Sequence, residues 1–296
     1  MSPLFPYITL PELVLLPARA FGNFPPAPIS IKPFGALVAT GVYLGAYLTV
    51  KRARRVGLDE RVMTSFIAWV VGIGFIGGHV LDEVFYYPHR LVEDPLSLFK
   101  LWDGLSSFGG FTGAFIGMLI WRSRYRVPVL PYADNVMAML PVGWVFGRAG
   151  CSTAHDHPGL LSDSLFAVRY PGGSRFDLGL LELLLSIPLA LAFLYLAKKP
   201  RPWGFFSALA CVTYAPLRFA LDFLREHQGV PGDVHGAIDP RYFYLTPAQW
   251  ECFALLAFGV YLLRRVLSSV SRGDGFERAV VPDFFATAPA ASDSKA

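Results

Sequence analysis

The sequence predicts an all-α membrane protein, a polytopic bundle of about seven transmembrane helices. Composition is the first reason: 54% of the 296 residues are hydrophobic and 16% are charged, whereas about 25% are charged in an average soluble domain. The second reason is that apolar stretches of roughly 20 residues, the length that crosses a bilayer, recur along the chain. The third is that basic residues cluster at alternate ends of these stretches. Together these observations exclude a soluble globular protein.

Seven apolar stretches approach or reach the membrane-spanning length. In chain order they cover residues 33–50, 62–85, 104–121, 130–150, 178–197, 203–224 and 247–263. Glycines in the second and third stretches predict close helix packing, because a glycine lets two backbones approach. The run Gly72–Gly77 has the spacing of a dinucleotide-binding motif, but no strand precedes it, so we interpret it as a packing surface. Gly109, Gly113 and Gly117 predict a second such surface.

The positions of the basic residues predict the orientation in the membrane. One set of helix ends carries Lys51–Arg55, Arg122–Arg126, Lys198–Arg201 and Arg264–Arg265. Basic loops stay on the cytoplasmic side, so these ends are predicted to face the cytoplasm. An odd number of helices then puts the N-terminus outside and the C-terminus inside.

Three segments are predicted along the chain. Residues 1–31 lack the basic start and uninterrupted apolar core of a secretory signal, and we expect them to lie on the outer membrane surface. Their predicted interfacial anchors are Phe5, Tyr7, Phe21 and Phe24. Residues 32–266 form one membrane domain. Residues 267–296 are rich in Ala, Pro, Ser and Asp and are predicted to be a disordered cytoplasmic tail.

Two arginines interrupt the apolar stretches. Arg148 lies in the run PVGWVFGRAGC at 141–151, close to the end of the fourth stretch. Arg218 lies inside the sixth stretch. A guanidinium stays protonated and is costly at membrane depth, so each must face a polar cavity or a partner. The spacing of Arg218, Asp222 and Arg225 puts them on one helical face. We predict a site for an anionic headgroup, with a structural salt bridge between helices as the alternative.

The loop after the fourth stretch contains His155, Asp156 and His157, and His79 and Asp82 are predicted on the same side of the membrane. Histidine and aspartate bind zinc, but two histidines two residues apart, without a cysteine or a helical pair, are a weak metal motif. We therefore expect no metal or other cofactor. Histidine is also the side chain best suited to accept a proton near neutral pH.

The three cysteines are too few for a disulfide framework. Cys211 falls in the middle of a predicted helix and is expected to be a small buried apolar residue. Cys151 and Cys252 are predicted near the same membrane face, so a disulfide between them is left open.

Several motifs in the later stretches carry a family resemblance. The best-matching stretches are Tyr132–Asp134 through Gly147–Gly150, and Thr213–Arg218 with Asp222–Arg225; Leu105–Gly110 and Pro247–Gln249 match more weakly. They resemble the prolipoprotein diacylglyceryl transferase family, including its signature sequence. The resemblance covers roughly Lys32 to Leu263 and includes the seven-helix layout.

The resemblance implies an enzyme of the bacterial inner membrane that moves diacylglyceryl from phosphatidylglycerol to the lipobox cysteine of lipoprotein precursors. Its expected partners are these two substrates and the lipid bilayer, with no nucleic acid. Positions on or close to those that the family uses are Arg148, Asp156, Gly159, Tyr214 and Arg218, with Asp156 in place of a glutamate.

A phosphate leaving group requires fixed cations, and arginine contacts phosphate through two parallel hydrogen bonds, which lysine cannot. The predicted catalytic residues are Arg148, Arg218, Tyr214, Asp156, His155 and His157. The predicted substrate-binding residues are Arg148, Arg218, Arg225, Gly147, Gly150, Gly159 and Asp222.

Three positions depart from the family pattern. Cys151 replaces an asparagine of the signature, Phe108 replaces a histidine before the Gly-Gly pair, and Phe34 replaces a tyrosine. The attacking thiol must lose a proton, which Phe108 cannot accept. Another histidine takes this role, or the chain is a non-catalytic relative that binds anionic phospholipid or lipoprotein. The candidate histidines are His79, His155 and His157. An anion transporter is a further alternative, which the lack of visible inverted halves disfavours.

Overall fold

The protein is mostly helical in a computed structural model that describes residues 3–18, 21, 29–100, 104–226 and 241–271. The helices are α1 (Pro33–Arg55), α2 (Glu60–Tyr86), α3 (Pro88–Glu93), α4 (Ser107–Tyr125), α5 (Val129–Ala154), α6 (Leu178–Leu196), α7 (Phe205–Leu221) and α8 (Pro247–Ser271). Short 3-10 turns cover Pro95–Phe99 and Asp222–Leu224. A helix therefore covers each of the seven apolar stretches predicted from sequence.

Six helices in the described part of the chain are long and apolar enough to cross a membrane: α1, α2, α5, α6, α7 with its following 3-10 turn, and α8. The protein is accordingly a multi-pass membrane protein. Helix α4 corresponds to the third predicted span but is not among the six, since its glycines and its two final-turn arginines make it less apolar. Seven spans and the orientation of the termini stay predictions.

Short strands accompany the helices, so the fold is mostly rather than purely α-helical. They are β1 (Phe5–Pro6), β2 (Leu13–Leu16), β3 (Ile29–Ile31), β4 (Pro158–Leu161), β5 (Ala167–Tyr170) and β6 (Gly173–Asp177). One sheet has the order β1-β5-β6-β4, and β2 pairs with β3 in an antiparallel hairpin. The turn between β5 and β6 holds Gly172 and Gly173 at φ of 90° and 140°, values that residues with a side chain rarely adopt.

The predicted outer segment and tail are only partly described. Strand β1 pairs in parallel with β5, and Tyr7 stacks on His155 with ring centroids 4.0 Å apart. Phe21 is exposed, whereas Phe24 lies outside the described residues. Helix α8 continues to Ser271, beyond the predicted start of the tail at residue 267, and residues 272–296 also lie outside the description.

The chain divides into two compact units, each assembled from separate segments. The first comprises Met1–Leu48, Met137–Lys199 and Phe206–Arg264; the second comprises Thr49–Val136, Pro200–Phe205 and Arg265–Ala296.

In the second unit, the glycines of α2 and α4 form the predicted packing surface. A Cβ atom added to Gly77 would lie 2.7 Å from the Cα of Gly113, and one added to Gly113 would lie 2.5 Å from the carbonyl oxygen of Ile73. Real Cβ atoms do not approach backbone so closely, so glycine is required at both positions. Helix packing is thus confirmed at Gly74 and Gly77 of the dinucleotide-like run, whereas a Cβ atom added to Gly72 would meet no atom of the described residues within 4 Å.

In the first unit, glycines bring α6 onto the end of α5. A Cβ atom added to Gly179 would lie 2.8 Å from the backbone of Cys151 and Ser152. Asp177 begins α6 by accepting a hydrogen bond from the amide of Leu180, which fixes where the helix starts. One turn farther on, Glu182 then faces α5.

Candidate active site

A single carboxylate joins the two arginines that the sequence singled out. The Nε atom of Arg148 lies 2.8 Å from one oxygen of Glu182, and the Nε atom of Arg218 lies 3.3 Å from the other. The hydroxyl of Tyr214 donates a hydrogen bond to Glu182 at 3.4 Å. Helices α5, α6 and α7 each contribute to this group, and all three charged side chains are buried. The two arginines predicted to bind an anionic headgroup are therefore the same ones that form a salt bridge between helices.

A second carboxylate, Asp222, extends the cluster. Its Oδ1 atom lies 2.5 Å from Nη1 of Arg218 and 3.8 Å from Nη1 of Arg225, so the three charged groups lie together although α7 ends at Leu221 and Arg225 lies beyond it. The hydroxyl of Thr246 donates a hydrogen bond to the other oxygen of Asp222. Since α7 changes to a 3-10 turn at Asp222, Arg225 stands at the end of the turn with its side chain 20% exposed.

An aromatic pair holds the guanidinium of Arg148. Its central carbon lies 4.5 Å from the centre of the Trp144 ring, a cation–π contact. Trp144 in turn meets Tyr214 edge to face, with ring centroids 5.5 Å apart. The position of Arg148 is thus fixed by Glu182 on one side and Trp144 on another.

The chain reverses at the end of α5 and brings polar side chains back toward it. His155 has φ of 51°, and its amide donates a hydrogen bond to the carbonyl of Cys151 at 2.9 Å. The sulfur of Cys151, a carboxylate oxygen of Asp156 and a ring nitrogen of His157 then lie within 4.8 Å of one another. Nη1 of Arg148 lies 3.8 Å from the sulfur of Cys151.

His157 sits in a positive environment. Its side chain is 29% exposed, and burial, followed by the charges of Arg225, Arg148 and Arg218, holds the pKa of His157 well below its usual range. The ring is therefore neutral at neutral pH.

Comparison with known proteins decides the family. The sequence model of the prolipoprotein diacylglyceryl transferases matches residues 23–265. The chain belongs to this family. A phosphatidylglycerol–prolipoprotein diacylglyceryl transferase of Vibrio campbellii is 31% identical over 228 residues, covering 74% of this chain and 83% of that protein.

Two further relatives carry the same name. That of Vibrio parahaemolyticus is 29% identical over 244 residues, 80% of this chain and 86% of the relative. That of Chromohalobacter salexigens is 29% identical over 217 residues, 70% of this chain and 81% of the relative. The family match over residues 23–265 spans all the residues that build the arginine cluster of this prolipoprotein diacylglyceryl transferase family member.

The predicted glycines of the family site differ in their surroundings. A Cβ atom added to Gly159 would lie 2.6 Å from the carbonyl oxygen of Leu224, so this glycine lets β4 approach the turn that carries Arg225. A Cβ atom added to Gly150 would lie 3.0 Å from the Phe34 ring. No atom of the described residues outside its own helical turn lies within 4 Å of the same point at Gly147, so the space beside this glycine is open.

His155 has a different environment from His157. Its Nδ1 atom lies 2.6 Å from Asp177, and its Nε2 atom lies 3.0 Å from the carbonyl oxygen of Ile8. Tyr170 also donates a hydrogen bond to Asp177. The ring of His155 thus connects the backbone of Ile8 in the N-terminal segment to Asp177 at the end of β6, which indicates a structural role.

The candidate proton acceptor His79 and the departing position Phe108 both lie in the second unit. His79 is buried, with one ring nitrogen 3.1 Å from the carbonyl oxygen of Gly104 and the other 3.0 Å from that of Ser97. Phe108 packs edge to face on Phe85, with ring centroids 5.8 Å apart. The three cysteines are free thiols, and all are buried.

Glu182 was missed by the sequence analysis although it forms the centre of the site in this family member. It is the single acidic residue in the apolar stretch 178–197, so the rule that singled out Arg148 also applies to it. Thr246 and Trp144 carried no comparable signal, because hydroxyl and indole groups are common in membrane helices and at their ends.

Proposed function

We propose that the protein transfers diacylglyceryl from phosphatidylglycerol to the cysteine thiol of a prolipoprotein. The observation that carries this function is the pair Arg148 and Arg218, held together by Glu182 within a chain of the transferase family. The relatives are named for the same reaction.

The arginines suit the leaving group of this reaction. When the bond between glycerol carbon and phosphate oxygen breaks, negative charge develops on the departing glycerol phosphate. Preorganised guanidinium groups stabilise such charge, and loss of one donor typically costs about 10²–10³ in rate. Glu182, Asp222 and Trp144 hold the guanidinium groups in place until the lipid binds, when a phosphate must replace the carboxylate of Glu182 at one arginine.

Arg218 lines a cavity that has both polar and apolar side chains, as a phospholipid site requires. A cavity of about 10 Å³ lies between α6 and α7, with Glu182, Tyr214 and Arg218 as its polar lining and Leu185 and Leu217 among its apolar lining. Both leucines are exposed, so the cavity joins the buried charges to an apolar outer surface. Because a space of this size holds about one water molecule, a headgroup enters only when an arginine exchanges Glu182 for phosphate.

The nucleophile is the cysteine of the incoming peptide. Because a thiolate attacks and a thiol does not, this cysteine must first lose its proton. We infer that the loss of its proton occurs near Asp156 and His157, which are half-buried beside Cys151. The thiolate then attacks the glycerol carbon, the C–S bond forms, and glycerol phosphate leaves toward Arg148 and Arg218.

The proposed setting is the inner membrane of a bacterium, with the N-terminus outside and the C-terminus in the cytoplasm. The alternation of basic helix ends supports this orientation. It puts Arg225 and the loop with His157 at the outer surface, where exported precursors arrive.

A non-catalytic lipid-binding relative is the second candidate. It is favoured by Glu182, which pairs both arginines, and by the family positions occupied by Cys151, Phe108 and Phe34. A transfer assay separates the two functions. The purified full chain in phosphatidylglycerol vesicles should increase the mass of a lipobox peptide by one diacylglyceryl group, and a Cys→Ser peptide should stay unchanged.

The same chain should restore lipoprotein maturation in cells depleted of their own transferase. Phosphatidylglycerol binding without transfer in either experiment would reject the enzymatic function and favour the binder.

A further inference from the structure

Three potential metal ligands converge where α5 ends. Cys151, Asp156 and His157 each offer one ligand atom, and these atoms lie within 4.8 Å of one another. They come from a seven-residue segment that the left-handed conformation of His155 folds back on itself. Cys151 precedes the two histidines closely in sequence, and the fold brings its sulfur beside Asp156 and His157.

The donor atoms are those that zinc prefers. Zinc binds thiolate sulfur at about 2.3 Å and imidazole nitrogen or carboxylate oxygen at about 2.0–2.2 Å, usually with tetrahedral geometry. Ligand atoms in such a site are separated by roughly 3.3–3.7 Å, so the present separations of up to 4.8 Å must shorten through rotation of the Asp156 and His157 side chains. Three protein ligands are also the number typical of catalytic zinc, because the fourth position is then left to substrate.

A backbone hydrogen bond selects which ring nitrogen of His157 is available to a metal, although Nδ1 is the nitrogen that lies 3.7 Å from the Asp156 carboxylate. Its Nδ1 atom lies 2.7 Å from the backbone carbonyl oxygen of Asp156. A carbonyl only accepts hydrogen bonds, so Nδ1 carries the hydrogen and the lone pair of the neutral ring is on Nε2. Metal-binding histidines characteristically donate their second ring N–H to a backbone carbonyl or a carboxylate in this way.

Local charge permits a dication beside the arginines. A thiolate at Cys151 and the carboxylate of Asp156 together neutralise Zn²⁺, so the loaded cluster has no net charge. Nη1 of Arg148, 3.8 Å from the Cys151 sulfur, can donate a hydrogen bond to a metal-bound thiolate. Glu182 and Asp222 offset most of the charge of the arginines.

We propose that Cys151, Asp156 and His157 bind Zn²⁺, and that the metal binds the thiol of the incoming peptide at its fourth position. This inference rests on the proposed transfer reaction. The peptide thiol releases its proton to water as the Zn–S bond forms, because a coordinated thiol is deprotonated. The metal-held sulfur then attacks the glycerol carbon, the C–O bond to phosphate breaks, and glycerol phosphate departs.

Metal content of the intact protein tests the site directly. The full chain purified in detergent should bind one equivalent of Zn²⁺, and Co²⁺ in its place should give the absorption band of a tetrahedral cobalt thiolate. Cys151→Ser and His157→Gln should lose both signals. Cys211→Ser, which alters a buried thiol outside the cluster, should retain them. A wild-type protein without stoichiometric metal, or a Cys151→Ser variant that binds as wild type, would overturn the proposal.

Activity distinguishes the metal site from the transfer function. Chelation should abolish transfer by the wild type, and Zn²⁺ should restore it, which requires no variant to fold. Cys151→Asn, which restores the family residue, should lose metal and transfer together. Full transfer by a metal-free wild type rejects the zinc site and leaves the transferase intact. Stoichiometric metal at Cys151 without transfer to any lipobox peptide rejects the transferase and, with it, the thiol-activating role.

Discussion

Glu182 carries the negative charge for two buried guanidinium groups, so its replacement affects both. We expect Glu182→Gln to lower the free energy of unfolding by about 3–5 kcal/mol, since it leaves buried charge uncompensated. Phosphatidylglycerol should then raise the melting temperature of the variant more than that of the wild type, because its phosphate replaces the lost carboxylate. Thermal unfolding in detergent with phosphatidylglycerol or phosphatidylcholine measures both effects.

The matched control is Glu60→Gln, which removes an exposed partner of Arg54. A surface ion pair contributes about 0–1 kcal/mol, so this change should barely alter the melting temperature. Equal stabilisation of wild type and Glu182→Gln by phosphatidylglycerol would contradict phosphate binding at the arginine pair.

Arg148 contacts two groups through different nitrogen atoms, Nε to Glu182 and Nη1 toward Cys151. Lysine has a single nitrogen at its end, so Arg148→Lys keeps the charge but loses this geometry. We expect transfer to fall by about 10²-fold or more, nearly as far as in Arg148→Ala. Initial rates with phosphatidylglycerol vesicles provide the measurement, with membrane abundance recorded for each variant. A lysine variant with wild-type rates would show that Arg148 contributes only its positive charge and not the geometry of its guanidinium group.

At the level of residues, the charged groups were predictable because charged side chains are rare inside membrane-spanning stretches. Arg148 and Arg218 stand out because charge inside an apolar stretch requires a partner, and the same reasoning reaches Glu182. The cluster of Cys151, Asp156 and His157 was not predictable, because it depends on the backbone angle of His155. Nothing in the local sequence specifies a left-handed conformation at that histidine.

The contact between α2 and α4 depends on glycine along both helices. Gly113→Ala places a methyl group 2.5 Å from the carbonyl oxygen of Ile73, so the helices must separate. Overpacking of this kind costs about 1–3 kcal/mol, and we expect a lower melting temperature in detergent. Gly110→Ala lies in the same helix, where the described residues leave 4 Å around the added carbon, and should be neutral or slightly stabilising. Equal melting temperatures for the two variants would show that α2 and α4 do not require close approach.

Elements were predictable where periodicity or length is strong. Seven apolar stretches became helices, since their length and composition allow no other structure in a membrane. Strands β4, β5 and β6 are only four or five residues long and lie in a mixed polar loop, so they carried little signal. Their turn is recognisable in retrospect from Gly172 and Gly173.

The topology of the whole molecule is open to a labelling test. A tag at the N-terminus and one inserted at Gly172, in the β5–β6 turn, should be accessible to an impermeant reagent in intact cells. A tag after Ala296 should be labelled only after the membrane is permeabilised. The physical reason is retention of basic segments on the cytoplasmic side. Labelling of the C-terminal tag in intact cells would reverse the orientation and put Arg225 on the cytoplasmic side.

The pairing of β1 with β5 has a consequence for the order in which the protein is made. Phe5 pairs with Val168, and about 160 residues separate them, so synthesis at about 5–20 residues per second leaves β1 unpaired for roughly 10–30 s. Four of the predicted spans are translated in that interval. The contact of Ile8 with His155 also forms late, since the loop must first follow α5 out of the ribosome. This sheet beside the candidate site therefore forms only when the first residues made meet a loop from the middle of the chain, and the helices that carry Glu182 and Arg218 are synthesised after that loop.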